Sequence, residues 1–596
     1  MTAPTSAFVP LALLALVAMT APPAARGAES GNALPWTPEQ CRAILDKTLT
    51  LRLAPDLSGL DPGEKAAVAE LLSVGQIMED VYEDSLHPQA LAARRKLEEP
   101  GARQDLATLY RLFRGPIATT LDNHRAPFLA VEPETPGKNV YPWGISAEEV
   151  KAYVAAHPEQ EAAILGERTV VRRATAENLA RDVAALDRHP ALAVLLPDLA
   201  GALRKLTEHP DPKTLYAVPY SVAWADELGR AQLALFRAAD DLQGSDPEFA
   251  GYLRDRGRDL LSNDYESGDA SWVTGHFGKL NAQIGAYETY DDALFSVKAF
   301  HSFSLLLRDE KATEELHRGL GDLQQVEDAL PYQPHKRVRT DIPVGVYEVI
   351  ADFGQARGTN TASILPNDSL YARRYGRTIL LRENIMENPQ LAELARRRWE
   401  AAMAPEFAGD FGVEGGFQRT LWHEVGHYLG PDRTSDGRDL SQALQDFSNT
   451  LEEMKADLVS LFAMQHFADA GLASPERLRA VQASGILRTL QNDRPRRDQP
   501  YQTMQLAQFN WFLDRGLLTV GADGRLSVHY EKYAPTVTAL LEKIFALQQG
   551  GDPRAAAAFF ERWTTWTPEL HEKLAARLRE AEGPRFRLVR YAALGE

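Results

Sequence analysis

Thr420-Leu-Trp-His-Glu-Val-Gly-His-Tyr-Leu-Gly430 is the stretch that decides how this chain is read. It contains His423, Glu424 and His427 in the pattern H-E-x-x-H. On a helix, positions four apart differ by only about 40° around the axis, so both imidazoles share one face. That face offers two nitrogen ligands to one Zn²⁺. Glu424 follows the first ligand and can take a proton from water as a general base. Leu421, Trp422 and Val425 supply apolar contacts, and Gly430-Pro431 reads as a helix stop.

Zinc also needs a third protein ligand and an open position. Downstream, Leu451-Glu-Glu-Met-Lys-Ala-Asp-Leu-Val-Ser-Leu-Phe462 reads as a second amphipathic helix, and either Glu452 or Glu453 can supply that ligand. Glu453 and Asp457 are four apart and therefore on one face. With Glu453 on the metal, Asp457 is placed to accept the outer N–H of a ligand histidine and so fix its tautomer. A lone acidic helix face is ordinarily a solvated one. The pairing of the two segments is what points to a metal centre.

The chain has 596 residues, more than one ordinary core accommodates, and predicts several domains or two large lobes. It is 44% hydrophobic and 25% charged, the composition of a globular protein. The net charge of −18 argues against nucleic acid as a partner. The single cysteine, Cys41, excludes an intrachain disulfide and a cysteine-based metal site. At the N-terminus, the apolar run of residues 8–19 is followed by small residues suited to cleavage, so residues 1–28 read as a secretory signal. No later stretch is apolar enough to span a bilayer. The expectation is an exported soluble protein, periplasmic or secreted.

Hydrophobic periodicity predicts helices over 37–113, 147–156, 176–208, 223–263, 293–307, 390–403, 475–490, 502–515, 536–547 and 568–582. Strand-like runs occur at 169–173, 214–218, 342–350 and 377–382, all in the first two thirds of the chain. Residues 263–272 and 286–292 read as polar, aromatic loops of the kind that line clefts. The fold class expected is mostly α with a smaller β component (α+β). It has a helical zinc lobe and a mixed lobe separated by a wide cleft. The mixed lobe is assigned residues 29–308, continued at 345–392. The helical lobe takes 309–344 and 393–596. Of the remaining histidines, His276, His301 and His466 read as packing or surface residues, and His571-Glu572 has Ala575 where a second ligand would stand.

Taken together, His423–His427 and Glu452-Glu-Met-Lys-Ala-Asp457 resemble the zinc elements of the dipeptidyl peptidase III family. The likeness extends to Val218-Pro-Tyr-Ser221, Asn263-Asp-Tyr-Glu-Ser267, Tyr287-Glu-Thr-Tyr-Asp291 and Leu365-Pro-Asn-Asp368, so it covers about residues 135–520. The resemblance implies a mixed lobe with a β-barrel-like core, and release of dipeptides from the free N-terminus of short peptides. By the same resemblance His423, His427 and Glu453 are the zinc ligands and Glu424 the base. Tyr290 and Asn367 resemble the residues that bind the substrate backbone. The chain departs from the family in three places. It has five residues from His423 to His427 where the animal members have six. Ile364 stands where an Asn is common. Tyr501 stands where a His is expected after the zinc site.

As a mechanism, this reading has Glu424 move the proton while Tyr290 and Tyr501 stabilise the oxyanion. One Zn²⁺ per chain, short peptide substrates and a monomer without stable membrane association complete it. A zinc hydrolase of the same architecture with aminopeptidase or endopeptidase specificity is a second reading. A non-catalytic metal-containing binding protein is a third.

Overall fold

The computed structural model describes residues 34–596 apart from 123, 320–322, 339–342, 359, 367–368, 445–446 and 496–499. The proposed leader at 1–28 and the candidate Asn367 therefore lie outside the described residues.

The β component is centred on five strands: β4 (Leu280–Glu288), β5 (Phe300–Arg308), β6 (Val344–Gly354), β7 (Ala362–Leu365) and β8 (Thr378–Arg382). Smaller pairs lie elsewhere, including β2 (Thr169–Ala174) with β3 (Asp211–Pro219), and β1 (Thr48–Leu53) with β9 (Phe586–Tyr591). The five strands are ordered β4-β5-β6-β8-β7 and curl into a half-barrel. Neighbours are antiparallel except β6 and β8, which run parallel.

Helices α1 (Pro62–Leu86), α2 (Ala225–Leu242) and α3 (Pro247–Ser262) pack beside this sheet and share one large core with it. The start of α1 shows why it begins there. Asp61 accepts from the Glu64 backbone N–H, Glu64 returns the bond to Asp61, and Pro62 occupies the first turn. A second core belongs to α4 (Val413–Gly426), α5 (Ser448–Asp469), α6 (Pro475–Thr489), α7 (Pro500–Asp514) and α8 (Tyr533–Gly550). The two-lobed α+β fold expected from the sequence is the one observed.

The sheet also joins the lobes. In β8, Leu380 enters the first core while Ile379 and Leu381 enter the second. A strand buried on both faces shows no polar alternation in sequence. The same physics explains the largest misreading. Residues 293–307 do not form the predicted helix. Asp292 gathers the backbone N–H groups of Leu294, Phe295, Val297 and Lys298 into a turn, and Phe300–Arg308 follows as β5. Both faces of that strand are buried, so its period of two is hidden.

Three other expectations fail. Residues 263–272 are not one loop, because Asn263 ends α3 in the left-handed region and a helix runs over Glu266–Thr274. Within 286–292, β4 continues to Glu288. Strands are not confined to the first two thirds. Phe586–Tyr591 pairs in parallel with Thr48–Leu53, inside the stretch read as helical, and Val589 and Tyr591 enter the first core. The last strand thus packs in the mixed lobe, outside the helical lobe assigned to 393–596. Its partner lies at the other end of the chain, where no local pattern can announce it.

Candidate metal centre

Helix α4 carries His423 and Glu424 and ends at Gly426, with His427 as its C-terminal cap. Its position is set by two close approaches. A Cβ on Gly415 would fall 2.1 Å from the Ala480 carbonyl oxygen of α6, and one on Gly426 would fall 3.0 Å from that of Ala456 in α5. Absence of a side chain lets α4 sit directly on both neighbours. Past the helix end, the Gly430 N–H donates to the fully buried Glu327 carboxylate at 2.9 Å.

The two imidazoles are perpendicular, with centroids 5.0 Å apart. His423 Nε2 lies 3.1 Å from Glu453 Oε2, and His427 Nε2 lies 3.9 Å from the same oxygen. Ligand atoms of His423, His427 and Glu453 all fall within 4.8 Å of one another. The outer nitrogens face elsewhere. His423 Nδ1 is 2.7 Å from Asp457 Oδ1, and His427 Nδ1 is 2.9 Å from Glu452 Oε1. Each Nδ1–H donating to a carboxylate leaves the Nε2 lone pair free to coordinate. The alternative the sequence left open, Glu452 or Glu453, is thus resolved in space. Glu453 faces both Nε2 atoms, while Glu452 backs His427 and is itself held by Lys455 at 2.7 Å and Gln548 at 3.3 Å.

Asp457 is the electrostatic centre of the second layer. Arg419 reaches its Oδ1 at 3.1 Å and Arg488 its Oδ2 at 2.8 Å. Burial would raise its pKa, but Arg488, His423 and Arg419 outweigh that and hold it far below the usual carboxylate range. Burial opposes the His423 cation, yet Asp457 and Glu453 raise its pKa to about 9. Burial lowers Arg419 to about 10, helped by the neighbouring Arg488. Two nitrogens, each backed by a carboxylate on its outer side, and one carboxylate oxygen form a donor set that suits a divalent transition metal.

Glu424 is half-buried and within electrostatic reach of Arg382 and Arg419. Tyr501, on α7, interacts with Glu453; burial first, then the Glu453 charge, raises its pKa. Tyr290 stands on the loop after β4 and is 75% exposed. Desolvation and the charges of Glu288 and Glu453 raise its pKa, and its phenol interacts with both Glu288 and Tyr501. The candidates Tyr290, Tyr501, Glu453, His423 and His427 therefore converge from both lobes.

Sequence reasoning missed Glu288, Glu452, Arg419 and Arg488. Glu452 was weighed only as a ligand. Arg419 was legible, one turn before His423 on the same face. Arg488 lies on another helix with no local signal. Other motif residues prove structural. Tyr265 and Tyr287 enclose Arg256, with Arg168 4.0 Å above the Tyr265 ring, and the Tyr287 hydroxyl is 2.6 Å from Asp269. Tyr220 is buried, and its hydroxyl donates to the Ala299 carbonyl. His571 is buried against Asn510, and His276 is exposed.

No family model matches the chain. "Nudix hydrolase 3" of Arabidopsis thaliana is 29% identical over 462 residues, 76% of this chain. The chain spans 57% of that protein's length. Among solved structures, DPP III from Caldithrix abyssi superposes with a TM-score of 0.78 at 25% identity, over 93% of this chain and 99% of that one. Dipeptidyl-peptidase III from Corallococcus sp. strain EGB gives 0.75 at 26% identity, over 94% and 99%. In fold and over nearly its whole length, the chain resembles dipeptidyl peptidase III structures.

Proposed function

We propose that this protein is a zinc peptidase that removes dipeptides from the free N-terminus of short peptides. The observation that carries the reading is the convergence of His423 Nε2, His427 Nε2 and Glu453 Oε2, with each outer imidazole nitrogen on its own carboxylate. The likeness to DPP III structures supports a peptidase of that kind.

His423, His427 and Glu453 would hold the metal. When bound, zinc supplies Lewis acidity toward a carbonyl and brings the pKa of water toward about 7. Glu424, next to the first ligand, takes the proton of the attacking water and passes it to the departing amine. Tyr290 and Tyr501 keep their protons across the neutral range, because both pKa values are raised, and so can donate to the developing oxyanion. Glu288, beside Tyr290, is placed to pair with the positive N-terminus of a peptide. Among the described residues the strand β7 pairs with β8 alone, and its other edge would take an extended peptide. Among the described residues, no helix is long and apolar enough to cross a membrane. Export and a monomeric state complete the proposal.

Ile364 favours a shift in specificity within this chemistry. It lies on β7, pairs with Ile379 and packs against the helical core, where a family member commonly has an amide.

An unblocked octapeptide incubated with metal-loaded protein, followed by mass spectrometry, tests the reading. Successive loss of two-residue units by wild type and none by Glu424→Gln, at equal metal content, is the expected result. Single-residue losses or internal cuts would keep the peptidase and discard the dipeptide rule. A fully active Glu424→Gln would remove the proposed base.

A further inference from the structure

A cavity of about 580 Å³ opens in the mixed lobe, lined by none of the residues assigned to the metal centre. That volume is ordinary for a small-molecule site. Its walls carry charges of both signs. Asp84 of α1 and Glu227 of α2 contribute carboxylates, and Arg172 of β2 and Arg181 of the helix Ala176–Arg188 contribute guanidiniums. Trp143 and Trp224 supply aromatic surface. Trp143 is held in place edge-on to His87, with centroids 4.7 Å apart.

The charges are not matched across the cavity. Asp84 Oδ2 accepts from Trp224 Nε1 at 2.8 Å, and among the described residues no cation forms an ion pair with this carboxylate. Arg172 and Arg181 are felt by Asp84 only at longer range. Both guanidiniums instead turn to one acid, Asp182. Arg172 bonds it directly, Arg181 lies 3.6 Å away while donating to Asn178 Oδ1 at 3.0 Å, and the Tyr216 hydroxyl donates to its other oxygen at 2.7 Å. Two cations thus share one carboxylate on one side, and an unpaired carboxylate stands on the other. Burial raises the Asp84 pKa, and burial together with Arg181 lowers that of Arg172 to about 10.

We infer that this cavity is a binding site for a small amino-acid zwitterion with an apolar or aromatic side chain. Its ammonium group pairs with Asp84, its carboxylate with Arg181 and Arg172, and its side chain lies on Trp143 and Trp224. A ligand of one charge satisfies one side and leaves the other as it was. A free amino acid and a dipeptide share this chemistry and differ in the span between their charges.

The test is ligand-observed NMR titration of the full chain with L-phenylalanine and, separately, with phenylalanylglycine. Phenethylamine and 3-phenylpropionate serve as one-charge controls. Saturable binding of at least one zwitterion is expected, with both controls weaker by about tenfold or more. The tighter zwitterion identifies the source. Asp84→Asn, which keeps an oxygen for the Trp224 N–H, and Arg181→Ala, at an exposed side chain, should each weaken binding by about tenfold. Metal content should be the same in wild type and both cavity variants, which separates this cavity from the metal centre. Absence of saturable binding by both zwitterions, controls that bind equally well, or zwitterion affinity unchanged in both cavity variants would each overturn the inference.

Discussion

Asp457 Oδ1 stands 2.7 Å from His423 Nδ1, on the side of the imidazole away from Glu453. That one contact favours the proton on Nδ1 and leaves Nε2 facing Glu453. Asp457 is itself held by Arg419 and Arg488, so rotating it away would break its contacts with both guanidiniums.

Asp457→Asn tests this directly. The amide keeps an oxygen for the arginines but removes the charge that supports His423. Metal affinity should fall by about 10- to 100-fold, measured by chelator competition. An unchanged affinity would show that the imidazole is oriented by packing alone.

Tyr290 and Tyr501 approach one acid from different lobes, and their phenols interact with each other. Tyr290→Phe and Tyr501→Phe should each lower kcat by about 10²- to 10³-fold with little change in KM. The double variant should lose less than the product of the two, because each phenol depends on the other for its orientation. Multiplicative losses would mean that the two act independently. Metal content should be the same in all four proteins.

Away from the centre, Glu83 of α1 offers a pH test of the mixed lobe. Burial and the Glu79 charge raise its pKa to about 8, against the pull of Arg94 and the Tyr110 hydroxyl. The folded protein therefore binds this proton more tightly than the unfolded chain does. The stability that results is fully present below about pH 4.5 and is lost as pH rises through about 8. Glu83→Gln keeps an acceptor for Tyr110 and cannot ionise. Melting temperature should fall less steeply in the variant than in wild type between about pH 5 and 8. Parallel curves would remove Glu83 from the account.

The metal centre was legible because its geometry is local. Four-residue spacing places His423 with His427 and Glu453 with Asp457, and only the meeting of two helices had to be assumed. What was not legible depends on distant partners. Phe300–Arg308 has its period hidden by burial on both faces. Thr48–Leu53 finds its partner only at Phe586–Tyr591. The choice between Glu452 and Glu453 turned on which face of α5 meets α4, which Gly426 settles by its contact with Ala456. Glu288 looked like loop chemistry because the end of β4 is set by pairing with β5, and nothing in its neighbouring residues marks it.

Glu288 yields the sharpest test of exopeptidase specificity. The loop that follows it is pinned at its base. Asp291 accepts from the Tyr82 hydroxyl at 3.0 Å and from Gln355 at 2.8 Å, and Asp292 collects four backbone N–H groups. Glu288 and Tyr290 thus project from a rigid support. A peptide's free amine is positive at neutral pH, and its pairing with a buried-side carboxylate contributes about 1.5–3 kcal/mol. Glu288→Gln should therefore raise KM for unblocked peptides by about 10- to 100-fold while kcat changes little. N-acetylated peptides lack the charge and should be poor substrates of both proteins, so the preference for free over acetylated peptides should collapse in the variant. A preference that survives intact would move amine recognition to another carboxylate, and a loss confined to kcat would place Glu288 with the proton-transfer groups.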